Sequence, residues 1–470
     1  MNIESSINGN WWIYGQNAPP HYGVLSLRDD GLTLEVNESR SLSVEEVFRR
    51  ALTPEDPPAE GIIHGRGERC GPITLFGCWP VRNYSTERIH HVISPLAGVS
   101  GLEVKSWREP IARSICLNFE YLNRWFAHKV LEPIQTSDGI PGWAIPHFED
   151  SIFPVHEGLT VRFVRQTLPS SSLDERRFTP SCNVYLSFAQ PVSLEDVTGR
   201  WIPWITRFFS LLIGTKIECL STEISATDGF TPPQDIPQEW GKILRRTSKP
   251  KRTHLHDPSP ATMLVPFATV QNRLQAMLER WHDINQRMQP VVDLFSAVVL
   301  QHSIYVQAQF LFLSQALEVY HSSSLHFESK KLSKADHAQR VDQIVAIAPE
   351  QLKEWAEREL RSRNSKYFND RLLEVFQANE REAKLLLGDI RGMADRIAYT
   401  RNHFTHYHGD TKSDRFLTET EMYRVNYSIE VFLWILLLKE LDIQGPPIER
   451  LLYRVKGATF VNLKEVVKGS

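Results

Sequence analysis

Thr400-Arg401-Asn402-His403-Phe404-Thr405-His406-Tyr407-His408-Gly409-Asp410 sets a guanidinium, an amide and an imidazole within six residues of one another, Arg401 to His406. Positions four apart on a helix stack on one face, so Asn402 and His406 point the same way and Arg401 stands one step round. These side chains suit phosphodiester cleavage without a metal. Arginine grips a phosphate bidentately and stabilises charge developing on its oxygens. Histidine exchanges a proton near neutral pH, and asparagine would orient one or the other. The helix is expected to stop at Gly409-Asp410, which places His406 in a last turn whose carbonyl end attracts positive charge, a setting for a general acid.

The spacing alone leaves alternatives open. A solvated helix end carries the same residue types, and Arg396 with His403, or Arg401 with His408, fits a looser spacing of the same kind.

Working back from this stretch, the chain from about Pro260 reads as nearly all helix. Val265 to Gln289 is amphipathic and breaks at Pro290; Val291 to Gln301 and Tyr305 to Ser322 follow. Ser333 and Asp336 form a start signal for a helix toward Ile347, Glu350 to Arg363 and Lys366 to Leu387 are heavily charged on one side, and Ile390 to Tyr407 is the motif helix. Ile390, Met393, Ile397, Ala398 and Phe404 are its expected core contacts. Thr418-Glu-Thr-Glu421 is a capping box opening a last helix to Leu441. A bundle of about five main helices over residues 260–470 follows.

Before Thr253 the period changes to two. Trp11 to Tyr14, Val24 to Leu27, Leu32 to Val36, Ile73 to Phe76, Ser114 to Tyr121, Leu159 to Val164 and Asn183 to Phe188 alternate as strands between Gly, Pro and Asp-Gly turns. Trp11 and Trp12 invite a ligand-stacking or carbohydrate-binding reading, but on a strand they face opposite sides, and aromatic strand residues are mostly core. Ser193 to Gly214 is helical, with Ser193 and Asp196 at its start and Pro203 either kinking it or marking its true beginning. Lys216 to Ser221 returns to strand. The expected fold is therefore an α+β N-terminal domain over residues 1–253, an antiparallel sheet or sandwich with a packed helix, followed by an all-α bundle.

Residues 231–260 read as a proline-rich linker in which Lys242, Arg245, Arg246, Lys249, Lys251 and Arg252 run without an acid between them. Such a run tracks an RNA backbone or merely solubilises a tether.

The 470 residues are too many for one ordinary core, and 41% hydrophobic with 23% charged residues is a normal globular balance. The formal charge of -3 gives no global basic field, so nucleic-acid contact must come from local patches. Cys70, Cys78, Cys116, Cys182 and Cys219 lack C-x-x-C spacing, which argues against zinc and against a disulfide framework. His302, His321 and His326 are not spaced as a metal set, so neither metal nor cofactor is expected. The longest apolar run, Val431 to Leu438, is far short of the roughly twenty residues of a membrane span, and no charged apolar leader is visible, so the expected setting is the cytoplasm.

Arg401-Asn402-x-x-x-His406, preceded by FLFLSQALEVYH from Phe310 to His321, resembles the ApeA-like branch of the HEPN ribonucleases. The N-terminal NGNWW and GVLSL stretches resemble that family's N-terminal domain, so the likeness spans nearly the whole chain. It implies an abortive-infection effector against phage, with the N-terminal domain sensing a phage-derived trigger and structured RNA such as tRNA as target. It also implies a homodimer or larger homo-oligomer in which two motif helices meet, bringing two His and two Arg to one cleft. Glu318 falls in the matched helix and is read either as an active-site neighbour or as a structural partner of Arg401 or a lysine. Within the nuclease reading, the ribose 2′-hydroxyl attacks its own phosphate, leaving a 2′,3′-cyclic phosphate and a 5′-hydroxyl. The competing readings are a non-catalytic interaction protein that dimerises through its bundle, and a module that binds RNA or nucleotide without cleaving it.

Overall fold

Side chains on a strand alternate between faces, so a row of large apolar residues at every second position needs only one covered face to fold. A computed structural model describes residues 5–14, 20–28, 31–38, 61–68, 70–85, 89–135, 137–138, 140–171, 176–226, 240–245, 258–299, 304–328, 330–406 and 413–453. The chain divides into two compact units, Met1–Gln275 and Ala276–Ser470.

The first unit is built on strands β1 (Ser5–Ile13), β2 (His21–Arg28), β3 (Gly31–Glu38), β4 (Ile63–Gly67), β5 (Gly71–Phe76), β6 (Trp79–Ser85), β7 (Ile89–Ser94) and β8 (Ala97–Ser100). Then come β9 (Pro110–Phe119), β10 (Glu132–Gln135), β11 (Pro141–Ala144), β12 (Ser151–His156), β13 (Leu159–Ser171), β14 (Arg176–Ser193), β15 (Cys219–Ser225) and β16 (Trp240–Arg245). Fourteen of them form one sheet in the order β12-β13-β14-β9-β15-β16-β8-β5-β4-β1-β2-β3-β7-β6, with β10 and β11 paired separately. This is the antiparallel α+β domain the alternation predicts.

Two buried clusters hold the sheet. Trp11, Leu25, Leu34, Ile73 and Leu75 pack together on one face of the β1–β5 region. Gly65 makes room for Trp11, since a Cβ there would collide with the indole ring. Farther along, Phe163 and Phe209 meet edge to face at 5.8 Å, and Trp125 meets Phe209 at 5.4 Å.

Trp125 belongs to α1 (Leu122–Trp125) and Phe209 to the helical stretch after β14. That stretch runs through α2 (Leu194–Asp196), a π turn at Val197–Trp201 and α3 (Ile202–Ile213). Ser193 caps it with a reciprocal Asp196 box. Pro203 stands in the first turn of α3 and so marks the start of the regular helix. Lacking an N–H for the carbonyl four residues back, it is preceded by a wider turn in which Ile202 N–H donates to Val197 O.

Part of the expected linker is sheet. Trp240–Arg245 pairs with β15 and β8, and Ile243 and Leu244 are buried, because its apolar residues cover sheet neighbours. Positions 231–239 and 246–257, with Arg246, Lys249, Lys251 and Arg252, lie outside the described residues.

After α4 (Phe267–Val270), α5 (Leu274–Arg287) leads into the helices α6 (Gln289–Val299), α7 (Val306–Ser323), α8 (Lys334–Ile347), α9 (Glu350–Ser362), α10 (Phe368–Ala378), α11 (Glu380–Leu387), α12 (Ile390–His406) and α13 (Glu419–Glu440). Ser333 accepts from Asp336 N–H at the start of α8, and Thr418 with Glu421 closes a full capping box on α13. The expected helix Lys366–Leu387 is two, parted at Asn379, whose side-chain amide donates to Val375 O and leaves the helical path at φ -127°. The core runs through Phe310, Leu313 and Leu317 of α7, Leu372 and Phe376 of α10, and Phe432 of α13, all fully buried. Among the described residues no helix is long and apolar enough to cross a membrane.

Candidate active site

Helix α12 begins where Asp389 accepts the Arg391 N–H at 3.1 Å, and it buries Ala394, Ile397, Ala398 and Thr400 against its neighbours α7 and α10. The buried positions fall at helical spacing on one stripe, and Arg401 continues that stripe one turn beyond Ile397 and Ala398. Arg401 is for this reason mostly covered, at 20% side-chain exposure, while Asn402 and His406 stand exposed on the last turn.

Four groups hold the Arg401 guanidinium. Its Nη2 donates to Glu318 Oε2 at 2.8 Å and to Gln315 Oε1 at 3.4 Å, both on α7. Its Cζ lies over the Phe368 ring of α10, 5.1 Å from the ring centroid. Nη1 donates to Asn402 Oδ1 at 3.3 Å, so the amide of Asn402 turns toward the arginine. Glu318 is the hub: its other oxygen lies 3.6 Å from Arg371 Nη1, and Arg371 itself donates to Ser322 Oγ at 2.9 Å and to Lys366 O. Next to it, Glu374 accepts from Lys366 Nζ with both oxygens, at 2.6 and 2.8 Å, and faces His321 Nε2 at 2.8 Å. Burial holds the His321 ring below its ordinary pKa, against the Glu374 hydrogen bond that pulls it up. Glu374 feels the reverse: burial would raise it, but His321 and Lys366 together keep it below the usual carboxylate value.

The other registers sit elsewhere. Arg396 donates to Glu421 Oε1 at 2.7 Å and to Phe416 O, which ties α12 to the start of α13. His403 packs edge-on against Phe416 at 5.0 Å and Phe404 at 5.5 Å. His408 and the Gly409-Asp410 stop lie outside the described residues, as does His302; the described helix ends at His406.

Of the basic run, Lys242 is exposed on β16 and Arg245 closes that strand. Among the described residues no group of three His, Cys, Asp or Glu side chains gathers as metal ligands.

Sequence comparison adds the family. The Apea-like HEPN family model matches residues 311–445, and the model of ApeA N-terminal domain 1 matches residues 6–281, more than half of the chain. The chain belongs to the ApeA family. No curated protein and no solved structure matches it. Membership makes the chain a HEPN-type anti-phage effector in the broad sense, and HEPN domains are in general ribonucleases. The ApeA-type HEPN segment contains every residue of the network around Arg401, from Gln315 to His406.

The sequence motif named Arg401, Asn402, His406 and Glu318 as candidates, and the structure adds Arg371, Phe368 and Gln315 as their neighbours. Gln315, Glu318 and Ser322 lie at i, i+3 and i+7 of α7, a polar stripe that flags a facing partner. Nothing in the local sequence says that Arg371 of α10 is that partner.

Proposed function

We propose that the chain is a metal-independent endoribonuclease that cuts RNA through the ribose 2′-hydroxyl, with Arg401, Asn402 and His406 as its working residues. The observation that carries this reading is the fixed guanidinium. Arg401 is clamped by Glu318, Gln315 and Phe368, and it sits beside an exposed imidazole on the same helix end. A charge held in place before the reaction stabilises a phosphorane-like transition state without reorganising, which is where most electrostatic catalysis lies. Three cations, Arg401, Arg371 and Lys366, face only two carboxylates, Glu318 and Glu374, and the surplus favours a phosphate.

In the reaction, a base removes the 2′-hydroxyl proton, the 2′-oxygen bonds to phosphorus and the P–O5′ bond breaks. An acid then returns a proton to the 5′-oxygen. Two proton transfers ask for two groups, and one chain offers one exposed motif imidazole. A homodimer that joins two α12 ends supplies His406 twice, one copy as base and one as acid. Asn402 and Glu318 act through Arg401 by holding its plane. Structured RNA such as tRNA is the proposed substrate, the first unit the proposed sensor of a phage-derived trigger, and the basic residues from Lys242 to Arg252 a proposed track for the RNA backbone.

The test is incubation of the purified full chain with RNA and with DNA of the same sequence in EDTA. RNA fragments ending in 2′,3′-cyclic phosphate, their loss with His406→Ala, and intact DNA are expected. RNA that is bound yet stays whole would establish a binding module in place of the nuclease.

A further inference from the structure

The first unit carries a cleft that the nuclease reading does not use. It has a volume of about 400 Å³ and opens over β1, β4 and β5, with Asn10, Trp12, His64, Arg66, Pro72 and Glu103 among its walls. The volume falls within the roughly 300–1,000 Å³ of small-molecule sites.

Strand register builds it. Trp12 pairs with His64, and His64 with Thr74, in one row across the three strands; Asn10 pairs with Arg66, and Arg66 with Pro72, in the next. Rows two residues apart project to the same face. The neighbouring Trp11 points to the opposite face and is 2% exposed, which splits the tryptophan pair into one core residue and one cleft residue.

The two ends of the cleft differ in charge. At one end, buried His64 sets Nδ1 3.3 Å from Oε1 of the well-exposed Glu103. Burial lowers the His64 pKa, outweighing Glu103, so the ring is neutral at neutral pH and spends its one proton on that carboxylate. Nε2 is then an acceptor, buried, with no hydrogen-bond partner among the described residues. Tyr14 stacks on the same ring at 4.9 Å, and Trp12 tilts against it at 6.3 Å. At the other end stand two exposed side chains, the Arg66 guanidinium and the Asn10 amide. Arg66 has no ion-pair or hydrogen-bonding side-chain partner among the described residues.

We propose that this cleft binds a nucleoside phosphate. The base stacks on Trp12, its N–H edge donates toward Glu103 and the His64 end, and the phosphate lies on Arg66 with Asn10 beside it. Trp12 and Arg66 are diagonal neighbours across the β1–β4 pair, about 7–8 Å apart, and a ribose bridges a base and a phosphate over such a gap. An aromatic face and a planar fork donor are the two groups that recognise these two parts. A neutral sugar would use the indole but would leave the guanidinium without an anion.

Titration calorimetry of the full chain with AMP, adenosine and inorganic phosphate tests the assignment. AMP should bind saturably and at least about tenfold more tightly than adenosine, and phosphate alone far more weakly than either. Arg66→Ala should erase the difference between AMP and adenosine, while Trp12→Ala weakens both about tenfold or more and Trp12→Phe restores most of the loss. Trp12→Phe keeps the strand packing, so a general folding defect is told apart from loss of the stacking face. The proposal is overturned by absence of saturable binding for AMP, GMP and UMP alike, by equal affinity for AMP and adenosine, or by unchanged affinity in both Ala variants. Cleavage of RNA enters none of these readouts, so failure of the nuclease reading leaves the result intact.

Discussion

Each unit holds a buried histidine that faces a carboxylate, and each holds an arginine near it, yet the two sets are spent differently. In the helical unit, His321 meets Glu374 at 2.8 Å, Glu374 is also bound by Lys366, and Arg401 is bound by Glu318. In the sheet unit, His64 meets Glu103 at 3.3 Å, Glu103 is 66% exposed, and Arg66 is left without such a partner among the described residues. Side chains that satisfy one another make a rigid surface, which is what a catalyst of charge redistribution needs. Side chains that leave donors and acceptors over make a surface that a ligand completes. The same residue types thus read as a fixed tool in one unit and as an open receptor in the other.

The largest effects should come from breaking the fixed tool. On the proposed mechanism, His406→Ala and Arg401→Ala should each lower RNA cleavage by about 10²- to 10⁴-fold with the oligomeric state of the parent chain unchanged, because each removes a group assigned to the reacting phosphate. Arg401→Lys should recover only part, since a point charge cannot sit in the slot between Glu318 and Phe368 as a plane does. Asn402→Ala should cost less than either. His403→Ala should keep most cleavage but melt earlier, having lost its contacts with Phe416 and Phe404, and His408→Ala should keep most cleavage as well. Cleavage assays on these variants decide the register: an inactive His403→Ala beside an active His406→Ala would move the site.

How far this arrangement could be read from the chain depends on range. Alternation placed the strands from Trp11 to Phe188, and capping signals placed the starts of the helices at Ser193, Ser333 and Thr418, because both are local physics. The motif was legible because its residues share one helical turn and a half. The clamp was not, because Arg371 and Phe368 reach Arg401 only through the packing of α10 on α12. The stretch Trp240–Arg245 misled for the opposite reason: its charges and flanking prolines speak locally for a tether, while its strand exists through pairing with β15 on one side and, on the other, with β8, more than a hundred positions away. The tryptophan pair was visible as a stacking candidate with its members on opposite faces, but only the register with His64 shows that Trp12 is the one in the cleft.

A smaller effect separates holding from reacting. Glu318→Gln keeps the shape of the clamp but removes its charge from Arg401 and Arg371. If Glu318 only positions the guanidinium, cleavage should fall by about 10- to 100-fold, mostly in kcat, with the flanks of the pH–rate profile unmoved. A shifted flank would make Glu318 a proton-transfer group instead.

The two histidine pairs themselves give the finest comparison, through stability. Burial keeps both rings below the ordinary value near 6.5, so below that pH the unfolded chain takes up protons that the folded chain does not. Stability is therefore full above about pH 7 and declines as pH falls below 6.5 toward the folded values. Melting curves at pH 7.5 and 5.5 should show that loss, and His321→Gln should reduce it. Removal of the carboxylates should then distinguish the pairs at pH 7.5. Glu374→Ala strips the buried His321 and Lys366 of a common acceptor and should cost about 1–3 kcal/mol. Glu103→Ala removes a carboxylate that water already solvates and should cost less than about 1 kcal/mol. Equal costs would mean that Glu103 is as much a part of its unit's framework as Glu374 is. A small cost for Glu103 together with a weakened hold on AMP would instead place its carboxylate where the open cleft needs it, on the ligand.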